Sequence, residues 1–173
     1  MSFEVYSESD IVYLEIGGVP VAIDAIIEVY INGVLYASLA AMPVHLREVA
    51  LGLLVGDGLI NSLDEVEGIS VDGRKLEVKT KIDLPATRRS YDEDCSAIAP
   101  PRIRRVNSTL KVDWNTIRSV FLDFNKRTAS ISKGLSVHST GIYDVLHRRA
   151  VIAHDVSRHT AVLKAIGLAL EAG

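Results

Sequence analysis

The run Ala150-Val151-Ile152-Ala153 is short, apolar and rich in strand formers. The polar stretch His154-Asp155-Val156-Ser157-Arg158-His159-Thr160 carries it straight into a helical pattern, in which Ala161, Val162, Ala165, Ile166, Ala169 and Leu170 form a wide apolar face. A strand that passes into a helix over so few residues confines this half of the chain to an α/β arrangement. Asp113 is placed to cap an earlier helix that carries Ile117, Val120, Phe121 and Phe124.

The first half is punctuated by turn chemistry. Glu28 to Ile31 and Val34 to Ala37 flank Asn32-Gly33, a pair suited to the positive φ angles of a two-residue hairpin. Val66 to Val71 and Lys75 to Lys79 flank Asp72-Gly73 by the same logic. Between them Leu46, Val49, Ala50, Leu53 and Leu54 recur at helical spacing after Pro43, with Gly56 and Gly58 as stop signals. One helix on a small sheet is expected. From Asp83 to Arg105 the hydrophobic period disappears among Pro85, Pro100, Pro101, the acidic run Asp92-Glu93-Asp94 and the basic pairs Arg88-Arg89 and Arg104-Arg105. A long mobile loop is expected there, as a functional segment or as a linker between lobes. The expected organisation is a small N-terminal α+β lobe over residues 1–105, ending in this loop, and an α/β lobe over residues 106–173. No internal repeat is visible.

Composition narrows the function classes. A chain of 173 residues with 48% hydrophobic content can bury a sizeable core. Its 19 basic and 22 acidic residues give a net charge of −3, so no global basic field draws it to nucleic acid. No apolar run approaches the roughly 20 residues of a bilayer span, and the N-terminus has no secretory pattern, so a cytoplasmic protein without membrane contact is expected. The single cysteine, Cys95, excludes an intramolecular disulfide framework and a multi-cysteine zinc site within one chain. The five histidines lack metalloprotease spacing, and no zinc is expected. Dinucleotide-binding, P-loop and nucleophile-elbow strings are also missing.

Two stretches hold candidate binding residues. At the opening of the last helix, Arg158 and His159 beside free N–H groups make an anion site reasonable; alternatively, Asp155 or Ser157 caps the helix and the two basic residues are solvated. The string His138-Ser139-Thr140-Gly141 offers hydroxyls and a permissive glycine in an expected tight turn. Cys95 follows three acidic residues, which raise a thiol pKa if close in space, whereas its polar, proline-rich surroundings argue against burial. A nucleophilic and an inert thiol both remain open.

The order of these pieces resembles the FdhD family, the formate dehydrogenase accessory sulfurtransferases. Ile31-Asn32-Gly33, Met42-Pro43 and Gly52-Leu53-Leu54-Val55-Gly56-Asp57-Gly58-Leu59-Ile60 are similar to the family's v-N-G, T-P and G-F-L-x-x-E-G-I-I segments. Cys95 stands where the family carries C-G-x-C-G, with Ile98 in place of the second cysteine. Thr140 to Asp144 resembles T-G-G-x-H, with Ile142 for the second glycine and Asp144 for the histidine. The most specific match is His154 to Gly167, close to E-D-V-G-R-H-N-A-V-D-K-V-I-G. Family members are expected to continue past this point with a segment bearing an S-G-R-type motif.

The resemblance implies a cytidine deaminase-like three-layer α/β fold without zinc, with the small N-terminal α+β lobe attached, and a homodimer. It implies that Cys95 carries persulfide sulfur from a cysteine desulfurase to the molybdenum guanine dinucleotide cofactor, bound as substrate, before that cofactor enters formate dehydrogenase. Thr140, Gly141, Asp155, Arg158 and His159 are the residues implied for cofactor binding. The alternative implied is a non-catalytic cofactor-binding or assembly protein.

Overall fold

The computed structural model describes residues 2–81, 89–91 and 107–173. Asn32 at φ 49° and Gly33 at φ 81° both take left-handed backbone, so β4 (Ala25–Ile31) and β5 (Val34–Ala41) pair antiparallel with Ile31 opposite Val34. The second hairpin closes similarly: Gly73 sits at φ 56°, and β6 (Val66–Asp72) returns as β7 (Lys75–Thr80) with Asp72 opposite Lys75. β7 lies parallel to β4, and β8 (Arg89–Tyr91) lies parallel to β5, giving a five-stranded sheet in the order β6-β7-β4-β5-β8. The loop expected over Asp83 to Arg105 lies outside the described residues apart from β8. Helix α1 (Leu46–Gly56) lays Val49, Ala50, Leu53 and Leu54 on Ile27, Val29, Leu39, Leu76 and Val78 of this sheet, forming the main core.

In the second half Asp113 caps helix α2 (Trp114–Leu135), accepting from the backbone N–H groups of Asn115 and Thr116 at 2.9 and 3.1 Å. Then β9 (His138–Asp144) and β10 (Arg149–Asp155) form an antiparallel pair, and α3 (Arg158–Ala172) closes the chain. The remaining strand of this sheet comes from the other end of the sequence: β1 (Glu4–Glu8) runs parallel to β10, for the order β1-β10-β9. A separate ribbon, β2 (Tyr13–Ile16) and β3 (Val19–Ala22), turns at Gly17 and Gly18, both at positive φ. The three-stranded sheet is covered on both faces. Val151 and Ala153 pack on Ala165 and Leu168 of α3, while Gly141 faces Phe124 of α2.

Two glycines join the halves. A Cβ on Gly52 of α1 would overlap the backbone of Leu163, and a Cβ on Gly167 of α3 would overlap the backbone of Glu48. The helices therefore touch backbone to backbone, and Leu163 enters the core of the five-stranded sheet. This contact crosses the division expected after residue 105, as does β1.

His138 to Gly141 is strand, not the expected tight turn. Pairing decides it: Thr140 lies opposite Ala153 and Gly141 opposite Ile152. The glycine is required for space, since a Cβ there would come within 2.8 Å of the Tyr143 ring and 3.0 Å of the Phe124 ring. The chain turns later, where Asp144 Oδ1 accepts from the N–H groups of Leu146 and His147 at 3.1 and 3.0 Å and Arg148 takes φ 54°.

The helix contact generates a stability prediction. Gly167→Ala forces a methyl into backbone that cannot move aside, at a cost of about 3 kcal/mol or more. Gly68→Ala in β6 meets open space and should change stability by less than about 1 kcal/mol. Urea unfolding of the two variants checks the contrast; equal midpoints would show that the helices can separate.

Candidate functional site

The site grows from the end of β10. Ser157, at φ −101° and ψ 128°, caps α3 by accepting the Thr160 N–H on its Oγ at 3.4 Å. The Thr160 hydroxyl donates to the Ala40 carbonyl at 2.7 Å and so pins the first turn of α3 to β5. Beneath the turn Asp155 and Lys164 form an ion pair at 2.7 Å with both side chains fully buried. The same carboxylate accepts the Ser157 N–H at 3.0 Å and the Met42 N–H at 3.2 Å, and the ammonium also donates to the His154 carbonyl at 3.3 Å. Burial pushes the Asp155 carboxyl above its usual range, and the Lys164 charge and the backbone donors oppose that shift.

Above this base Arg158 opens onto a cavity of about 260 Å³ that it lines with Ser157, Val156, His138, Ala40 and Asp24. Arg158 is exposed and His159 half-buried in the first turn of α3. A helix N-terminus, a guanidinium, a serine and a histidine offer an anion partners on one side of the hollow, with the Asp24 carboxylate also in its lining.

The candidate residues are thus distributed unequally. Arg158 lines the hollow and Asp155 lies under its floor. Thr140 and Gly141 line a second, more apolar cavity of about 400 Å³ beneath Phe121 and Phe124 of α2. Cys95 lies outside the described residues. Of the string His138 to Gly141, His138 reaches the Arg158 hollow, and the structure adds Lys164 and Asp24, which lie outside both candidate stretches. Lys164 alone had a clear signal: a charged residue one turn after Thr160, inside the apolar face of the last helix, needs a buried partner.

A second buried group lies nearby on the α2 side of the sheet. His154 Nδ1 is 2.9 Å from the Ser139 hydroxyl and Nε2 is 3.1 Å from a Glu8 carboxylate oxygen, so both ring nitrogens are satisfied. Among the described residues no cluster of three or more His, Cys, Asp or Glu side chains could hold a metal. No helix among them is long and apolar enough to cross a membrane.

Removing one charge of the buried pair should be costly. Lys164→Met leaves a buried carboxylate uncompensated, for a loss of about 3–5 kcal/mol. Adding Asp155→Asn should recover part of that loss, because an amide oxygen can still accept from Ser157 or Met42 without a charge. Denaturant titration of the single and double variants reads the coupling; strictly additive losses would show that the two side chains act independently.

Comparison with known proteins places this geometry. The family model described as the FdhD/NarQ family matches residues 22–173. The chain is 26% identical over 147 residues to the sulfur carrier protein FdhD of Thermoplasma acidophilum, covering 76% of this chain and 52% of that protein. It is 29% identical over 141 residues to the sulfur carrier protein FdhD of Saccharolobus solfataricus, covering 76% and 54% respectively. It therefore spans about half the length of the curated relatives it matches. A crystal structure of a protein assigned as a formate dehydrogenase accessory protein from Desulfotalea psychrophila superposes with a TM-score of 0.67 at 21% identity, covering 94% of this chain and 68% of that one, so the two share a fold. With all but its first residues inside the matched region, the chain belongs to the FdhD/NarQ family.

Proposed function

We propose that this protein is a sulfur carrier in formate dehydrogenase maturation, with Cys95 as the thiol that bears the sulfur. The observation that carries this reading is the family match over residues 22–173, which includes Cys95. In the proposed reaction the Cys95 thiolate attacks the terminal sulfur of a persulfide on a cysteine desulfurase. The donor S–S bond breaks, the donor cysteine leaves as thiolate, and Cys95 holds the persulfide. The molybdenum guanine dinucleotide cofactor is the proposed acceptor and substrate. Its phosphates suit the hollow at the start of α3, where Arg158 and the N-terminal end of the helix supply positive charge. Thr140, Gly141 and His159 are retained as proposed contacts for the rest of the cofactor. The proposed setting is a cytoplasmic homodimer. A cytidine deaminase-like arrangement is supported by a three-stranded sheet lying between α3 and α2.

One feature favours a second reading, a cofactor-binding or assembly protein without sulfur transfer: Ile98 stands at the position of the second cysteine in the resembled motif. A single thiol suffices to hold a persulfide, so the carrier reading leads.

Incubation with a cysteine desulfurase and cysteine, followed by intact-mass measurement, separates the two. The carrier gains one sulfur atom on Cys95, and Cys95→Ser gains none; persulfidation of the donor with no gain here would leave the binding protein. Arg158→Ala should still accept sulfur but bind guanosine diphosphate roughly 10- to 150-fold more weakly, the equivalent of losing one charge-assisted pair to phosphate. Equal affinities of wild type and Arg158→Ala by calorimetry would remove Arg158 from the site.

A further inference from the structure

Ser139, His154 and Glu8 form a hydrogen-bonded line that sulfur transfer leaves unused. The imidazole is 1% exposed and lies between the Ser139 hydroxyl, 2.9 Å from Nδ1, and a Glu8 carboxylate oxygen, 3.1 Å from Nε2. An ionised carboxylate only accepts, so Nε2 carries the ring proton, Nδ1 is left as the acceptor, and the Ser139 O–H donates to it. The backbone that carries the ring is also held: the His154 N–H donates to Ser9 Oγ at 2.8 Å, and its carbonyl accepts from Lys164 at 3.3 Å. A hydroxyl, a base on it and a third group orienting the base are the parts of an activated nucleophile. The ring nitrogens are exchanged relative to the serine proteases, where the nucleophile sits on Nε2. Either nitrogen serves as the base when the other carries the proton.

What the hydroxyl faces gives the substrate class. Ser139 lines the cavity of about 400 Å³ whose walls include Ile117, Val120, Phe121, Phe124 and Tyr143. Its size and character suit the apolar part of a small ligand. Among the described residues its lining holds no charged side chain, which favours a neutral guest over an anion. Because the His154 N–H is given to Ser9 on the β1 side, the ladder bonds to β9 fall to Ala153, opposite Thr140. Ser139 and Gly141 therefore turn their own N–H groups away from β10. Gly141 thus offers a backbone donor to an oxygen that gains charge beside Ser139. His154 stands where the resembled motif carries glutamate, so the line of three belongs to this chain and not to the motif.

We propose that Ser139, His154 and Glu8 give this protein a second activity, hydrolysis of a neutral carboxylic ester whose apolar acyl group occupies the cavity between α2 and β9. Ser139 Oγ bonds to the carbonyl carbon as its proton passes to His154 Nδ1, and Glu8 holds the Nε2 proton of the resulting imidazolium. The bond to the alcohol oxygen then breaks, and that oxygen leaves with the proton from Nδ1. Water next attacks the acyl-serine, giving a proton to Nδ1 that returns to Ser139 Oγ as the carboxylic acid departs. Ser139 and His154 are the catalytic residues, and Glu8 positions the ring. The activity goes beyond sulfur transfer, and no step of it involves Cys95.

Treatment of the purified protein with diisopropyl fluorophosphate, followed by intact-mass and peptide analysis, tests it. The serine oxygen displaces fluoride, so the expected result is one diisopropylphosphoryl group, located on Ser139, and none on Ser139→Ala. Hydrolysis of p-nitrophenyl butyrate is the second readout, and Ser139→Ala should abolish it. Glu8→Gln, at a side chain 48% exposed, keeps an acceptor for the Nε2 proton but removes its charge. In that variant kcat should fall about 10²-fold with KM little changed. A wild type that gains no phosphoryl group, or gains it only on other residues, overturns the proposal. So does equal hydrolysis by wild type and Ser139→Ala, or a Glu8→Gln variant with the kcat of the wild type.

Discussion

An ammonium group without water contact, at the seam between two sheets, sets the terms for the rest of this molecule. Lys164 belongs to α3, yet its charge is neutralised by a carboxylate at the end of β10, and that carboxylate also takes the Met42 N–H just past the end of β5. Desolvating two ions is expensive, and the attraction between them offsets the cost only when the remaining lone pairs and protons are also used. They are used here by backbone from three segments. The chain therefore gains a condition more than raw stability: β5, β10 and α3 must meet in one arrangement before the pair can be buried. That arrangement places Ser157 and Arg158 over Ala40, so the candidate anion hollow is a by-product of satisfying a buried charge.

Much of the fold was legible because its signals are local. Asn32-Gly33 and Asp72-Gly73 specify their own backbone, and each hairpin forms where its turn demands. The helix starting near Leu46, the Asp113 cap and the passage from β10 into α3 followed from spacing alone. What escaped depends on partners far away in sequence. β1 is a strand because β10 accepts it, some 145 positions later, and nothing between Glu4 and Glu8 announces that pairing. His138 to Gly141 has the composition of a turn, and only the match of β9 to β10 makes it extended. Lys164 looks like an interruption of an apolar stripe until Asp155 is placed beside it. For the candidate site, the strand-to-helix junction was readable, whereas the depth of Asp155 and the separate cavity beside Gly141 required the third dimension.

Departures from the resembled motifs have local physical answers. Asp144, where the motif carries histidine, closes the β9–β10 turn through two backbone N–H groups; the His147 N–H and imidazole, with Arg149, lower the pKa of its carboxyl to about 2. His154 stands where the motif carries glutamate, and the carboxylate beside it comes from Glu8 on β1. With Ser139 on the other ring nitrogen, the buried imidazole is satisfied on both sides.

The backbone contact at Gly52 and Gly167 has a mechanical meaning. Packed side chains can slip past one another by changing rotamer, but two helices that meet through their peptide groups have no compliant layer between them. α3 therefore bears on α1 directly, and through Leu163 on the core of the five-stranded sheet, with no layer of side chains at the two glycines to take up a change of position.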